Sequence, residues 1–295
     1  MNVGRPTFQT LKDLFFECGL GILVDIQSIT WKTGWCGKET RLIVAITNQK
    51  GGVGKTTTAV NVAAALAFSG CRTLLIDTDS QGHSSKSIVR DAEKIDKSLY
   101  DVLMNPALKL SSIIVPATVP GLEVAISRIS MAKLEGSLLG QIDGHFRLKD
   151  VLEPVRDKYD FIFIDTPPTL GLITLNSLVA ASHLLIPIQS SYLCLEGTDD
   201  LLETIEKVRR VANPGLQILG VLITLHDTRT NIARDVVERI QRVFGEKVFQ
   251  TFISKSVKLE ECPAYKESVF TYAGGSVGAL QYKKVAEEIL ERAKK

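Results

Sequence analysis

The sequence has 295 residues, of which 45% are hydrophobic and 23% are charged, and its formal net charge is +2. These values are typical of a soluble globular protein and exclude a disordered chain, a collagen-like chain and a small disulfide-stapled protein. A charge so close to zero also argues against a histone-like or strongly basic nucleic-acid binder, but it is compatible with a small basic patch.

Residues 1–40 do not share the pattern of the rest of the chain and are predicted to form an N-terminal extension. Apolar residues from Phe8 to Cys18 recur at helical spacing, which indicates a short amphipathic helix. Asp13 and Glu17 interrupt the apolar residues, so the segment does not resemble a secretory signal. It is interpreted either as a regulatory or partner-binding arm or as a loosely attached leader.

From Arg41 onward, buried-strand patterns alternate with amphipathic helical patterns. The strand patterns are rich in Ile, Val, Leu and Phe without polar alternation, and they cover residues 42–47, 73–76, 161–164, 183–188, 218–225 and 248–253. The helical patterns cover residues 56–69, 172–181, 197–211, 232–244 and 277–292. This alternation predicts one α/β domain over residues 41–295, with a mostly parallel sheet and helices on both faces.

The segment NQKGGVGKTTT, residues 48–58, lies between the first predicted strand and the first predicted helix, which is the context of a P-loop. Its glycines allow a tight turn whose backbone N–H groups face one anion. Lys55 can reach the β- and γ-phosphates, the Thr56 hydroxyl can bind Mg²⁺, and the Thr57 hydroxyl can reach another phosphate. The residues predicted to bind nucleotide from this context are Gly51, Gly52, Val53, Gly54, Lys55, Thr56 and Thr57.

Three acidic residues stand at the ends of predicted strands. Asp77 and Asp79 follow residues 73–76, and Asp165 follows residues 161–164. Any one of them could be a helix cap or a solvated turn residue. Because ligands of open α/β sheets bind beyond the carboxyl ends of the strands, we expect all three to converge on the P-loop.

The loop departs from the standard GxxxxGK[ST] pattern, because it has Gln49 at the first glycine and a second lysine, Lys50, before the later glycines. In this form it resembles the deviant Walker A motif of the ParA/MinD family of P-loop ATPases. The resemblance implies that the chain binds ATP and Mg²⁺ and that Lys50 reaches across an ATP-dependent homodimer to the partner's nucleotide. A second cation at the phosphates would stabilise the developing charge, as an arginine finger does.

The acidic segments resemble the Walker A′ and Walker B motifs of the same family. The resemblance implies that Asp79 positions the attacking water and that Lys50, Lys55 and Asp79 are the catalytic residues. It further implies that Asp165 holds Mg²⁺ together with Thr56, with Asp77 in the outer shell of the metal. Ser80 stands where family members usually have proline, which loosens the turn but removes no ligand.

Within this family the chain resembles the chromosome and plasmid partitioning ATPases of the ParA and Soj type. The resemblance rests on short segments at residues 79–82, 195–197, 220–222, 227–231 and 256–263. It implies non-specific DNA binding through Arg229 and Lys258, with Lys255 as a further candidate. It also implies that the adenine lies near Thr224, Ile253 and Lys255.

The expected function is therefore that of a partitioning ATPase whose hydrolysis is stimulated by a ParB-like centromere-binding partner. The expected location is cytoplasmic and nucleoid-associated, because the scattered cysteines are typical of reduced thiols and no apolar stretch reaches the roughly 18 to 20 residues of a membrane span. Two alternatives stay open: a MinD-like, membrane-associated positioning ATPase, and a binding module that has lost hydrolysis.

Overall fold

The computed structural model describes Trp31, residues 41–191 and residues 198–294. The helix predicted in residues 1–40, and the segment at 195–197 that carries part of the family resemblance, lie outside the described residues. Trp31 packs in the core, where its ring stacks on Phe68 at a centroid distance of 5.3 Å and meets the edge of Phe270 at 5.1 Å.

Seven strands form one sheet in the order β3-β4-β2-β5-β1-β6-β7, in which β3 is antiparallel to β4 and every other pairing is parallel. The strands are β1 (Leu42–Ile46), β2 (Thr73–Asp77), β3 (Ile114–Pro116), β4 (Leu122–Ala125), β5 (Phe161–Asp165), β6 (His183–Gln189) and β7 (Gln217–Thr224). The carboxyl ends of the parallel strands therefore lie along one edge of the sheet, where sequence analysis places the phosphate loop and the acidic residues.

Helices fill most of the connections between the strands. They are α1 (Lys55–Phe68), α2 (His83–Ile88), α3 (Leu99–Met104), α4 (Leu134–Leu138), α5 (Arg147–Leu152), α6 (Leu172–Ala180), α7 (Thr198–Val211), α8 (Asn231–Phe244), α9 (Val257–Glu261), α10 (Val269–Ala273) and α11 (Val277–Arg292). The predicted helices are confirmed to within one residue at each described end. The predicted start at residue 197 lies outside the described part of the chain.

The sheet buries both of its faces, as β5 shows. Phe161 and Phe163 point into a core shared with α1 and α11, whereas Ile162 and Ile164 point into a second core shared with α5, α6, α7 and α8. All four side chains are almost fully buried. The prediction of a mostly parallel sheet with helices on both faces is confirmed, and burial on two faces explains why the strand sequences are continuously apolar.

Two local expectations are wrong, and two short strands were missed. Residues 248–253 form no strand; they contact β7 through an isolated bridge between Val221 and Val248 and through the Ile253 amide, which donates to the Ile223 carbonyl at 2.8 Å. The short strands β3 and β4 were not predicted from the sequence. Cys71 is disulfide-bonded, contrary to the expectation that every thiol is reduced.

Candidate functional site

The phosphate loop occupies the connection from the end of β1 to the first residue of α1. Gly52 and Gly54 have φ angles of 73° and 81°, in the left-handed region that residues with a Cβ rarely adopt. No side chain caps the start of α1, and its first turn contains no acidic residue. The first N–H groups of the helix and its positive end are therefore available to an anion.

Hydrogen bonds to neighbouring strands hold this loop in shape. Asn48 accepts a hydrogen bond from the Lys50 amide at 2.9 Å and donates to the Pro187 carbonyl of β6 at 2.7 Å. Thr224, the last residue of β7, donates from its hydroxyl to the Val53 carbonyl at 2.8 Å. Asn48 lies inside the recognised loop segment, but its supporting role was missed because nothing in the sequence indicates the contact with β6.

The side chain of Lys55 folds back over the loop. Only 7% of the residue is exposed, and its ammonium donates to the Lys50 carbonyl at 2.7 Å. Burial lowers the pKa of Lys55, while the nearby carboxylates of Asp165 and Asp79 oppose that shift. The loop thus encloses a cation beside the predicted phosphate site, and the half-buried Lys50 lies at its edge.

Asp165 lies under the loop, fully buried at the end of β5. Its Oδ2 accepts hydrogen bonds from the Thr56 hydroxyl at 2.8 Å and from the Ser84 hydroxyl at 2.7 Å, whereas its buried Oδ1 has no hydrogen-bond partner. Burial raises the pKa of Asp165, and the two hydroxyl donors and Lys55 oppose the shift. An unpaired carboxylate oxygen next to a threonine hydroxyl suits a hard divalent cation such as Mg²⁺.

Asp77 is placed differently, because the protein itself satisfies its oxygens. Oδ2 accepts from the Ser85 amide at 2.8 Å and from the Ser85 hydroxyl at 2.7 Å, and Oδ1 accepts from the Asp79 amide at 3.1 Å. Burial and then the neighbouring Asp165 carboxylate raise the pKa of Asp77. Asp77 therefore fixes the turn that carries Asp79, an arrangement that suits the outer shell of a metal site better than direct coordination.

Asp79 lies half-buried on this turn, at the same edge of the sheet as the loop. Its Oδ1 accepts from the Gln81 amide at 2.9 Å, and the Gly82 amide closes the turn on the Asp79 carbonyl, also at 2.9 Å. The turn forms with Ser80 in the position where family members usually have proline. Among the described residues, no group of three or more His, Cys, Asp or Glu side chains could hold a metal ion by itself, so Mg²⁺ would need Thr56 and oxygens of the nucleotide.

A cavity of about 260 Å³ opens beside the loop. Its walls come from the loop, from the end of β7 and from residues 253–263 and 282, and they are formed by Gly54, Thr57, Thr224, Leu225, Ile253, Ser256, Leu259, Glu260, Pro263 and Tyr282. The structure thus places Thr224 and Ile253, two of the three predicted adenine contacts, in this wall. Lys255 is exposed and is not part of the lining. Tyr282, in the last helix, was not predicted from the sequence.

The two predicted DNA-binding cations are exposed, and each pairs with a carboxylate. Arg229, whose side chain is 86% exposed, binds both oxygens of Asp227, at 2.8 and 2.7 Å, and thereby lowers the pKa of that carboxyl. Lys258 donates to Glu261 at 2.9 Å. Exposed ion pairs of this kind contribute little to stability, so a phosphate can compete for either cation.

Comparison with known proteins agrees with this geometry. A family model described as an AAA domain matches residues 41–218. The sporulation initiation inhibitor protein Soj of Bacillus subtilis is 42% identical over 247 residues, which cover 84% of this chain and 97% of that protein. The chromosome partitioning protein ParA of Myxococcus xanthus is 40% identical over 250 residues, 85% of this chain and 88% of that protein.

The chain belongs to the ParA/Soj family of partitioning ATPases. Among solved structures, cobyrinic acid a,c-diamide synthase from Mycobacterium smegmatis, with a bound ATP analogue and magnesium, is similar with a TM-score of 0.76 and 33% identity. That similarity covers 86% of this chain and 96% of the other. The P-loop fold expected from the sequence is therefore confirmed.

Proposed function

We propose that this ParA/Soj family member binds ATP and Mg²⁺, forms a nucleotide-dependent homodimer, binds DNA non-specifically and hydrolyses ATP when a ParB-like partner stimulates it. The observation that carries this proposal is the Lys50-containing phosphate loop with Asp79 and Asp165 at the same sheet edge. The similarity to the Myxococcus xanthus protein named as a chromosome partitioning protein supports a cellular role in partitioning chromosome or plasmid DNA.

Each charged group of the site has a role in hydrolysis. Mg²⁺, when bound, neutralises charge on the β- and γ-phosphates, and Thr56 and Asp165 are the residues that fit it. The N–H groups of the loop and the start of α1 orient the phosphates. Asp79 orients a water for in-line attack on the γ-phosphate. Lys55 offsets the developing charge in its own subunit, and Lys50 does so in the partner subunit.

The burial of the apolar residues in the last helix supports the partitioning role over a MinD-like membrane function. Val285, Ile289 and Leu290, the large aliphatic residues of its second half, are buried in the core and are unavailable to a lipid surface. Among the described residues, no helix has the length and apolar content needed to cross a membrane.

The role of Lys50 can be tested by dimerisation. Lys50→Ala is expected to abolish the ATP-dependent dimer in light scattering while ATP binding is retained, because Lys55 and the loop amides remain. Lys149→Ala, an exposed change on α5, is the matched control and should dimerise normally. An ATP-dependent dimer of Lys50→Ala would contradict the proposed role.

DNA binding and turnover test the rest of the proposal. DNA binding should require ATP, and its log affinity should fall with log salt at a slope of about −0.9 per phosphate contacted. ATP hydrolysis should rise when DNA and a ParB-like protein are both present. ATP-dependent binding to liposomes without DNA binding would favour the MinD-like alternative, and absence of turnover under all conditions would favour a binding module.

A further inference from the structure

The last helix, α11, holds the chain segment that forms one wall of the cavity beside the phosphate loop. Gln281 and Ser254 are joined twice: the Ser254 amide donates to Gln281 Oε1 at 2.9 Å, and Gln281 Nε2 donates to the Ser254 hydroxyl at 2.8 Å. About two turns further along α11, Glu288 accepts from the amides of Gln250 and Thr251, each at 2.9 Å.

These bonds add to the backbone contacts of the segment with β7. Backbone N–H groups need acceptors, and in a sheet a neighbouring strand supplies them. Here the amides of Gln250, Thr251 and Ser254 use side chains of α11 instead. The position of this segment therefore depends on Gln281 and Glu288 as well as on its backbone bonds to β7, such as the bond from the Ile253 amide to the Ile223 carbonyl.

The same helix contacts the other side of the site. Tyr282, which follows Gln281, is 1% exposed and lies in the cavity wall. Its hydroxyl is 3.2 Å from the hydroxyl of Thr58, in the first turn of α1 directly after the phosphate loop. Two consecutive residues of α11 thus connect the helix of the phosphate loop with the segment that carries Ile253 and Ser256.

We propose that Gln281 is a positioning residue for the nucleotide base: its paired bonds to Ser254 set the width of the cavity between the loop side and the Ile253 side. This inference rests on the proposed function in that the cavity takes the base of ATP. The apolar walls formed by Leu225, Ile253 and Leu259 suit the faces of a planar base. The phosphates are held separately, by the loop and Lys55.

The decisive experiment compares a ligand that has a base with one that does not. Gln281→Ala removes both side-chain bonds and should raise the Kd and the KM for Mg·ATP by about thirtyfold, which corresponds to about 2 kcal/mol, or roughly 1 kcal/mol for each bond. Because the phosphate loop is untouched, kcat and the affinity for Mg·tripolyphosphate should stay within about twofold of wild type. The measurement of these Kd values requires no hydrolysis, dimerisation or DNA binding. A failure of the proposed function can therefore be distinguished from a failure of this inference.

Three further variants test whether the contact between Gln281 and Ser254 accounts for the change in ATP affinity. Gln281→Glu can still accept from the Ser254 amide and can accept from its hydroxyl, so it should restore ATP affinity. Ser254→Ala loses one of the two bonds and should show a smaller effect of the same kind, about fivefold. Lys284→Ala changes an exposed residue of the same helix and should bind ATP as wild type does.

Two results would overturn the inference: unchanged ATP affinity in Gln281→Ala, or an equal loss of affinity for ATP and for tripolyphosphate. Thermal unfolding of each variant identifies a general loss of structure. If Gln281→Ala does not fold, unaltered ATP affinity in a folded Ser254→Ala would overturn it as well.

Discussion

Asp165 shows how a single residue joins the sheet to a ligand site. Its side chain is buried at the end of a central strand, one oxygen binds two hydroxyls, and the other has no hydrogen-bond partner. A buried carboxylate oxygen without a partner is costly, because it has lost its contact with water. This oxygen therefore destabilises the folded protein when no ligand is bound, and a bound cation would remove the destabilisation.

This cost predicts a pH dependence. Because the folded pKa of Asp165 is raised above its unfolded value of about 3.9, the fold favours the protonated form. Stability from this group is complete below about pH 4 and is lost as the pH rises through the folded pKa. Without nucleotide and with a chelator present, the stability of Asp165→Asn relative to wild type should therefore rise between about pH 4 and pH 6 and level off above that, measured by thermal unfolding.

A matched variant separates this effect from general charge removal. Asp96→Asn removes the same charge from an exposed side chain and is the matched control. If the difference in stability between Asp165→Asn and wild type stayed constant over this range, the raised pKa of Asp165 would be refuted.

At the scale of elements, Arg292 at the end of α11 joins the last helix to β7 and to the segment after α8. Its guanidinium donates to the carbonyls of Leu219 and Lys247 at 2.8 Å and of Val248 at 2.9 Å, and it stacks on the Phe249 ring at 4.1 Å. Gly220 makes this close approach possible, since a Cβ there would overlap both the guanidinium and the ring.

Gly220→Ala is therefore expected to destabilise the fold by about 1–3 kcal/mol, the usual cost of adding a methyl group to a filled site. Urea unfolding measures the change. Gly275→Ala is the matched control, because no atom lies within 4 Å of the added Cβ. Equal stability of the two variants would show that the guanidinium and the ring can move aside without cost.

The burial of an element decides whether it could be predicted from the sequence. The strands with five or more residues are apolar on both faces and are visible as continuous apolar runs. Residues 248–253 have the same appearance, but they meet β7 through an isolated bridge and two backbone hydrogen bonds instead of a continuous ladder. Arg292 and Glu288 of α11 bind other backbone groups of the segment. β4 was missed because it is short and contains Glu123, whose carboxylate accepts from the Tyr159 hydroxyl at 2.7 Å.

For the site, the loop and the three acids were visible because their positions follow from the ends of strands. Ser84 and Ser85, which hold the carboxylates of Asp165 and Asp77, were not visible. Both lie on α2, a helix of six residues whose hydroxyl-rich sequence resembles any polar turn. Their roles depend on the distances from α2 to β5 and to β2, which no spacing in the sequence reveals.

At the scale of the whole molecule, the predicted ligand site lies where several elements meet. The loop and α1, the ends of β2, β5 and β7, and the residues before α9 all contribute to it. A ligand at this position would contact segments from both ends of the described chain. Binding should therefore stabilise the entire fold and not only the loop.

Mg·ATP is accordingly expected to raise the free energy of unfolding by about 2.7 kcal/mol at a concentration one hundred times its Kd. Lys55→Ala should lose most of this ligand-induced stabilisation, and a chelator should reduce it in wild type. Both changes remove positive charge that attracts the phosphates. Differential scanning fluorimetry measures the shift, with Lys149→Ala as the control. A full shift in Lys55→Ala would contradict the position assigned to the phosphates.

Trp31 contacts the end of the helix that begins at the phosphate loop, so its fluorescence can report on the ligand site. Phe68, on which the indole stacks, is the last residue of α1, and the first residue of α1 is Lys55 of the phosphate loop. Since a helix moves as a rigid rod, a displacement at its ligand end would shift the ring beneath the indole. The only other tryptophan is Trp35, so in a Trp35→Phe background the emission of Trp31 can report nucleotide binding without any added dye.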